Sequence, residues 1–317
     1  MIDTELTRAK LLIARFLESI AQQNFSRYTI RNYRHDLGVF LCFLCGEDVE
    51  ALANVTPTTL HQYQTHLYAK KKKGGEAPLS LNTQCARLTA VRSWFRWLTQ
   101  RGFVMTDPAS GLTLPKQKRT IPHDVPTRQE VEKILNQPNV DTSLGFRDKT
   151  ILEILYSTGI RNGELLNLAI HDVDVKEREL RVRCGKGQKD RVVPLGDIAA
   201  HSLTQYLDHI RPVLAKRHPE NSQLFLSCNG LPLSGCVVND LIVKKYVRRA
   251  KLAKHITPHS FRHACATHML KNRANIRHIQ ALLGHKSLET TQIYTRVEVG
   301  DLKREHRRTH PREQIKR

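Results

Sequence analysis

Three stretches near the end of the chain decide how its second half folds: Thr257-Pro-His-Ser-Phe-Arg262, Leu282-Leu-Gly-His285 and Thr290-Thr-Gln-Ile-Tyr294. The first begins in the manner of a helix, since threonine caps free N–H groups and proline suits the first turn. The second ends in the manner of a helix, because glycine readily adopts the left-handed conformation that closes one. The pattern predicts consecutive helices at about 258–271, 275–283 and 287–296.

This arrangement places two histidines, an arginine and a tyrosine in one short segment. His259 and Arg262 are three residues apart, so they share one face of a helix's first turn and can address one ligand. A helix start adds partial positive charge and free N–H groups, which favour phosphate. Taken singly, His285 also fits a surface turn and Tyr294 a half-buried packing residue. Together they resemble a phosphate-breaking site that still needs a proton donor from elsewhere.

The charge of the chain points to a polyanionic partner. Its 317 residues include 51 Lys+Arg against 30 Asp+Glu, a formal net charge of +21. Such an excess repels itself unless a polyanion neutralises it, which favours nucleic acid, although charge alone also fits RNA or a membrane surface. No run approaches the roughly 18 apolar residues of a membrane span, and no basic leader precedes an apolar run. We therefore expect a cytoplasmic protein without a membrane partner.

Neither the cysteines nor the histidines indicate a metal or another cofactor. The seven cysteines are an odd, scattered set typical of reduced thiols. Cys42 and Cys45 lie in an apolar run without a matching downstream pair, which favours a core helix over a four-ligand zinc site. Two histidine pairs have helical spacing but lack the intervening glutamate of a zinc-protease motif: His259 with His263, and His306 with His310.

The length and the distribution of prolines predict two domains. The first hundred residues have the 3.6-residue periodicity of amphipathic helices, at about 5–22, 27–45, 57–71 and 80–100. Residues 111–126 contain three prolines and four basic residues counting His123, a composition typical of a linker. We predict a helical domain over 1–110, a linker over 111–126 and a second domain over 127–317.

The second domain is predicted to be mixed. Thr127-Arg-Gln-Glu130 is a capping box that begins a helix, and further helices are predicted at about 146–157, 162–168, 197–211 and 234–253. Leu180-Arg-Val-Arg-Cys184 and Arg191-Val-Val-Pro-Leu195 have the character of two strands joined by a turn. Residues 297–317 look like a basic helix followed by Pro311. The expected fold is mainly α with a small antiparallel sheet.

Four blocks occur in one order over about 140 residues: Ser157-Thr-Gly-Ile-Arg161-Asn-Gly-Glu164-Leu, Gly185-Lys186-Gly-Gln-Lys-Asp-Arg191-Val-Val-Pro194-Leu, Thr257-Pro-His259-Ser-Phe-Arg262-His-Ala-Cys-Ala-Thr267-His, and Leu282-Leu-Gly-His285-Lys-Ser-Leu-Glu-Thr-Thr-Gln-Ile-Tyr294-Thr. In these blocks the chain resembles the tyrosine recombinases, also called the phage integrase family, and most closely the bacterial Xer-like members. The resemblance implies a SAM-like, core-binding N-terminal domain that binds DNA. It also implies a mixed α/β catalytic domain whose C-terminal tail couples subunits.

The resemblance implies a nucleophile and two cations. Tyr294 would attack the scissile phosphate and form a 3′-phosphotyrosyl link, which conserves bond energy so that rejoining needs no cofactor. Arg161 and Arg262 would grip the non-bridging oxygens and stabilise the charge of the transition state. Glu164 is expected to orient or neutralise an arginine, since a carboxylate beside the phosphate would repel the substrate.

It also implies the groups that move protons. His259 and His285 would supply hydrogen bonds and proton movement around the reacting oxygens. Lys186 would donate the proton to the leaving 5′-oxygen, with Lys189 and Arg191 as nearby alternatives.

The implied function is a site-specific recombinase that cuts and rejoins double-stranded DNA through a Holliday junction, as a homo-tetramer or a hetero-tetramer with a related recombinase. Two alternatives remain at this point, a type IB topoisomerase and a catalytically decayed DNA-binding accessory protein. The tail at 297–317 could instead be a basic segment lying on DNA, and residues 244–249 either a DNA-facing stripe or a solvated face.

Overall fold

The computed structural model describes residues 3–47, 49, 51–71, 77–115, 125–183, 190–284 and 299–313. The chain divides into two compact units, Met1–Thr120 and Ile121–Arg317. Residues 116–124, which form more than half of the predicted linker at 111–126, lie outside the described part. Among the described helices, none is both long enough and apolar enough to cross a membrane.

The first unit contains the four helices that the sequence predicts, each ending within two residues of its expected position: α1 Asp3–Gln22, α2 Arg27–Gly46, α3 Pro57–Ala69 and α4 Leu81–Gln100. Side-chain oxygens of Ser26, Thr56 and Ser80 accept hydrogen bonds from backbone N–H groups at the starts of α2, α3 and α4. The local caps therefore fix where these helices begin.

Aromatic side chains form the centre of this unit. The ring of Phe40 lies edge-on to Tyr63 at 4.9 Å and to Phe95 at 6.0 Å between centroids, joining α2, α3 and α4. The predicted core helix over the cysteine pair is confirmed as α2, but Cys42 is exposed and Cys45 half-buried. Within the described residues, no group of three His, Cys, Asp or Glu side chains could hold a metal ion.

The second unit has a mainly helical order of elements around a small sheet. Its helices are α5 Arg128–Leu135, α6 Ser143–Thr158, α7 Asn162–Asn167, α8 Asp197–Gln205, α9 Arg211–Ala215, α10 Lys244–Arg249, α11 Pro258–Lys271, α12 Ile276–Leu283 and α13 Val299–Thr309. Its strands are β1 Val173–Asp174, β2 Glu179–Val182 and β3 Arg191–Pro194. The predicted fold class is confirmed.

The sheet is antiparallel in the order β1-β2-β3, with Val182 opposite Arg191 and Glu179 opposite Pro194. Leu180, Val182 and Val193 are buried in the core of this unit. Both predicted strands are real but shorter at their C-terminal ends, since β2 ends at Val182 and β3 at Pro194. The turn that joins them, residues 184–189, lies outside the described part.

Two predicted helices differ in length from the observed ones. The helix expected at 197–211 continues through a π-helical turn, Tyr206–Ile210, into α9. The helix expected at 234–253 is shorter than predicted. It consists of a π-helical segment, Val237–Val243, followed by α10. A π-helical turn contains one residue more than an α-helical turn, and the spacing of hydrophobic residues in the sequence does not reveal it. The helix predicted at 287–296 falls outside the described residues.

Candidate active site

The end of α6 delivers the first site arginine through a tight turn. Gly159 follows the helix with φ +61°, and its N–H donates to the carbonyl oxygen of Leu155 at 3.2 Å. A Cβ at this position would lie 2.8 Å from Cδ2 of Leu283. Only glycine therefore adopts this turn without strain. Arg161 comes two residues later, at the start of α7.

Glu164 holds Arg161 from one turn along α7. The Nη1 of Arg161 donates to Oε1 of Glu164 at 2.8 Å, and the backbone N–H of Arg161 donates to Oε2 at 2.8 Å. Arg161 keeps 38% of its side chain exposed, whereas Glu164 keeps 10%. The carboxylate of Glu164 thus orients the guanidinium of Arg161, and part of that guanidinium stays open to a ligand.

Arg191 of β3 grips the same carboxylate. Its Nη1 and Nη2 donate to Oε1 and Oε2 of Glu164 at 2.9 and 2.8 Å. Burial alone would raise the pKa of Glu164, yet the hydrogen bonds from Arg191 and Arg161 outweigh it and hold that pKa at about 2. Glu164 is therefore ionised at neutral pH and acts as an anchor for two arginines, as the sequence indicated for one of them.

Three arginines converge on the C-terminal end of α12. The carbonyl oxygen of Leu282 accepts from Nε of Arg191 at 3.1 Å, that of Leu283 from Nη2 of Arg262 at 2.6 Å, and that of Gly284 from Nη2 of Arg161 at 3.2 Å. The last carbonyls of a helix have no partner within it and carry partial negative charge. This helix end therefore gathers cations from three different elements.

Arg262 of α11 is the most deeply placed of the three, with 2% of its surface exposed. Its Nη1 also donates to the carbonyl oxygen of Gly159 at 2.7 Å. Burial, together with the neighbouring charge of Arg161, lowers its pKa to about 10, so it still carries its charge at neutral pH. Carbonyl oxygens compensate this buried cation, as a buried charge requires.

His259 lies on the first turn of α11 and is exposed. Its ring meets that of His263 edge-on, with centroids 4.4 Å apart. Partial burial lowers the pKa of His259, and the charges of His263, Arg262 and Arg161 lower it further. A neutral imidazole beside two arginines can accept or donate a proton near neutral pH.

Arg161, Arg262 and His259 lie close enough to interact electrostatically, and their catalytic roles stay predictions. Lys186, His285 and Tyr294, the other three predicted site residues, lie outside the described residues. His285 directly follows Gly284 in the chain, and Lys186 belongs to the segment between β2 and β3.

Sequence reasoning missed the role of Arg191, which it considered only as an alternative proton donor. In the structure its side chain is 12% exposed, and it binds both Glu164 and the end of α12. No local pattern in the sequence links Arg191 to Glu164, because the two residues are 27 positions apart and meet only where β3 packs beside α7.

The C-terminal segment packs against its own unit. The Nε2 atoms of His306 and His310 lie 2.6 Å and 3.1 Å from the carbonyl oxygens of Ser157 and Tyr156. Both histidines are buried. The side chain of Arg312 pairs with Glu153 of α6. Residues 306–312 are thus a packed segment in this structure and not a solvated tail.

One side of α10 is anchored and the other is basic. The hydroxyl of Tyr246 donates to Oδ2 of the buried Asp148 at 2.9 Å. Basic residues of α10 and of the turn after it are exposed, although Lys245 also lies 4.0 Å from Oδ2 of Asp148: Lys245, Arg248, Arg249 and Lys251. This exposed basic face suits contact with a phosphate backbone.

Two protein families have patterns that match this chain, one within each unit. The pattern described as Phage integrase family matches residues 125–300, and that described as Phage integrase, N-terminal SAM-like domain, matches residues 13–102. The chain is 40% identical to the tyrosine recombinase XerC 2 of Ralstonia nicotianae over 307 residues, covering 96% of this chain and 87% of that protein.

Two solved structures share the fold. One is the XerH site-specific recombinase bound to difH substrate in a pre-cleavage complex, with a TM-score of 0.70 and 20% identity over 89% of this chain and 91% of that one. The other is a lambda integrase tetramer bound to a Holliday junction, with a TM-score of 0.65 and 18% identity over 89% and 79% of the two chains.

Proposed function

Because this chain belongs to the phage integrase family and is a site-specific DNA recombinase, we propose that its second unit cuts and rejoins duplex DNA through a tyrosine-linked intermediate. The observation that carries this proposal is the arginine cluster at the end of α12. Arg161 and Arg262 are charged, fixed by backbone carbonyls and directed to one region. Two cations held in this way suit the two non-bridging oxygens of a phosphodiester.

The donor capacity of these arginines supports the proposal. A guanidinium carries five N–H donors, and the carbonyl oxygens of Gly159 and Leu283 engage two from Arg262. Arg161, whose side chain is 38% exposed, has further donors that can bind a phosphate without breaking the contacts that hold it. Preorganised donors of this kind stabilise a transition state without a reorganisation cost.

The other predicted residues complete the reaction in our proposal. Tyr294 attacks phosphorus through its Oη, forming the tyrosine–phosphate bond as the bond to the 5′-oxygen breaks. His259 and His285 hydrogen-bond the phosphate oxygens and accept the proton that Tyr294 loses. Lys186 gives its proton to the departing 5′-oxygen. Attack by a 5′-hydroxyl on the phosphotyrosyl link reverses these steps and joins the new strands.

We extend the proposal to the assembly. The first unit binds the DNA core site, and four protomers hold two sites, either as copies of this chain or together with a related recombinase. Strand exchange then passes through a Holliday junction. Support comes from the fold shared with lambda integrase, which forms a tetramer on such a junction. Residues 299–313 couple the subunits when they dock on a neighbour as they dock on their own unit here.

A nicked suicide substrate tests the chemistry. Its nick lies beside the scissile bond, so the short fragment with the 5′-hydroxyl diffuses away and traps the covalent adduct. We expect wild type to form the adduct, Tyr294→Phe to form none, and Tyr68→Phe, an exposed tyrosine in the first unit, to match wild type. An adduct with Tyr294→Phe would show that another residue is the nucleophile.

The same assay separates the alternatives. A topoisomerase relaxes supercoiled DNA without paired sites, and a decayed accessory protein binds DNA without forming an adduct. The relatives that match this chain support the recombinase over the topoisomerase, and the grouping of Arg161, Arg262 and His259 supports an active site over a decayed one.

A further inference from the structure

The last turn of α6 is capped by the C-terminal segment of the chain. Of its final carbonyls, that of Leu155 accepts from Gly159, that of Tyr156 lies 3.1 Å from Nε2 of His310, and that of Ser157 lies 2.6 Å from Nε2 of His306. Carbonyls at a helix end need outside donors. Two histidines from more than 140 residues away occupy the positions of those donors.

The same turn of α6 leads directly into the arginine cluster. The carbonyl oxygen of Gly159, the next residue after α6, accepts from Arg262 at 2.7 Å. Arg161 follows two residues later and reaches the end of α12. A displacement of this turn would therefore move the support of both arginines. Small misplacements of groups that bind a reacting phosphate have large effects on rate.

The surroundings of His310 fix its protonation state by geometry. Its Nδ1 accepts from the backbone N–H of Arg312 at 3.2 Å, while its Nε2 faces the carbonyl oxygen of Tyr156. One nitrogen must accept and the other donate, so the imidazole is the neutral Nε2–H tautomer. A second proton on Nδ1 would point at the N–H of Arg312. The positive side chain of Arg312, paired with Glu153, further disfavours that proton.

His306 is enclosed in a similar way. Its ring stacks on that of His310, with centroids 4.7 Å apart and planes 8° from parallel. Its Nδ1 lies 3.9 Å from Oε1 of Glu313, but that oxygen already accepts the N–H of Asp197 at 2.8 Å. At 3.9 Å this oxygen is also beyond hydrogen-bond distance, so a protonated His306 would gain only a longer-range attraction, which does not offset its burial.

Other titratable and charged groups face the pair from the remaining elements. Tyr156 of α6 packs its ring against His310 and hydrogen-bonds His268 of α11 through its hydroxyl. Lys149 of α6 pairs with Glu153. Arg128 of α5 donates to the carbonyl oxygen of Pro311. Arg178 and Arg307 line a cavity of about 190 Å³ beside His306 and Glu313. Burial opposes protonation of both histidines, and the nearby charges of His306 and Arg312 oppose it further at His310.

We propose that His306 and His310 are positioning residues for the active site: as neutral Nε2–H donors they fix the last turn of α6, so that Arg161 and Arg262 are correctly placed only while the C-terminal segment is docked. This inference rests on the proposed function of the arginine cluster. It makes docking of the segment, on its own unit or on a neighbour, a condition for cleavage.

The burial of the pair gives docking a defined pH dependence. Burial lowers the pKa of His306 to about 4 and that of His310 well below 6.5. Undocked histidines near 6.5 bind more protons than docked ones between these values, so the docked state loses stability as pH falls from about 6.5 towards 4. Above that window, docking is at full strength.

The first arm of the test compares two replacements of His306 and His310, one that keeps an N–H donor and one that removes it. Glutamine places a neutral N–H near the position of Nε2, whereas leucine places none. We expect His306→Leu with His310→Leu to lower the single-turnover rate of adduct formation by about tenfold to a hundredfold, with DNA affinity within about twofold of wild type. His306→Gln with His310→Gln should recover most of that rate. Lys216→Met, at an exposed position outside the C-terminal segment, should match wild type.

The second arm uses pH and does not depend on the folding of the leucine variant. Between about pH 7.5 and 5.5, the rate of adduct formation should fall more steeply for wild type than for the double glutamine variant. Only wild type has histidines at positions 306 and 310, and these take up protons when the C-terminal segment undocks. The remaining slope belongs to groups common to both proteins, including His259.

The outcomes are separable. Coincident pH profiles, or a folded leucine variant that cleaves at the wild-type rate, overturn the positioning role while leaving the proposed function intact. Absence of an adduct with wild type overturns the proposed function itself.

Discussion

Glu164 accepts hydrogen bonds from Arg161 and Arg191, and Arg262 lies beside them. Its negative charge therefore offsets the mutual repulsion of buried cations. Removing one partner of a buried ion pair costs more than the pair itself contributes, because a charge is left without compensation. The carboxylate is thus a condition for assembling the site, although it takes no part in the chemistry.

Glu164→Gln keeps the shape of this side chain and removes its charge. We expect the free energy of unfolding to fall by about 3 kcal/mol, as for other broken buried pairs, measured by chemical denaturation. Glu132→Gln is the matched control, since Glu132 pairs with Arg128 at an exposed site, where a loss below about 1 kcal/mol is expected. Equal losses in the two variants would contradict the anchoring role of Glu164.

At the scale of single elements, the C-terminal ends of two helices position the residues of the site. The end of α12 gathers three arginines, and the end of α6 receives two histidines. Both helices are followed by a glycine with positive φ, Gly159 and Gly284. These two glycines let the chain leave the helix at once, which keeps the terminal carbonyls open to partners from other elements.

Gly159→Ala tests this arrangement. The substitution forces alanine into a left-handed conformation and brings its Cβ within 2.8 Å of Leu283, so we expect the free energy of unfolding to fall by roughly 1–2 kcal/mol. Gly163→Ala is the control, because a Cβ there meets nothing within 4 Å inside α7. It should be neutral or stabilise by up to about 1 kcal/mol. A Gly159→Ala protein as stable as Gly163→Ala would refute the conformational requirement.

The sequence predicts helices and strands better than it predicts the contacts between them. Helix starts at Ser26, Thr56 and Ser80 depend on contacts three residues away, so local pattern suffices for them. The pairing of Arg161 with Glu164 is equally local. The grip of Arg191 on Glu164 spans 27 residues and depends on how β3 approaches α7. The contacts with the end of α12 span up to 123 residues and follow only from packing.

At the scale of the whole molecule, the charge of +21 governs affinity for DNA. Neutralised phosphates release counterions, so binding weakens steeply with salt. We expect affinity for duplex DNA to fall by about a thousandfold or more between roughly 50 and 200 mM salt, measured by fluorescence anisotropy. A salt-independent affinity would mean that phosphate contacts contribute little.

The exposed face of α10 localises this effect. Lys245→Ala with Arg248→Ala should reduce the slope of log affinity against log salt by about 2, since each phosphate contact contributes about 1. The control is Lys216→Ala with Arg217→Ala, which removes the same charge from another exposed position. Equal changes in the two double variants would assign the effect to net charge and not to α10.

Main-chain oxygens hold Arg262 in place, and they share the support of Arg161 and Arg191 with the carboxylate of Glu164. Point mutation replaces side chains and leaves carbonyl groups where the helix puts them. Leu282 and Leu283 can therefore exchange for other apolar residues over generations without any loss of an arginine acceptor. These acceptors therefore persist when side chains change, whereas the support from Glu164 depends on that one residue, and surfaces that select a DNA site can diverge around both.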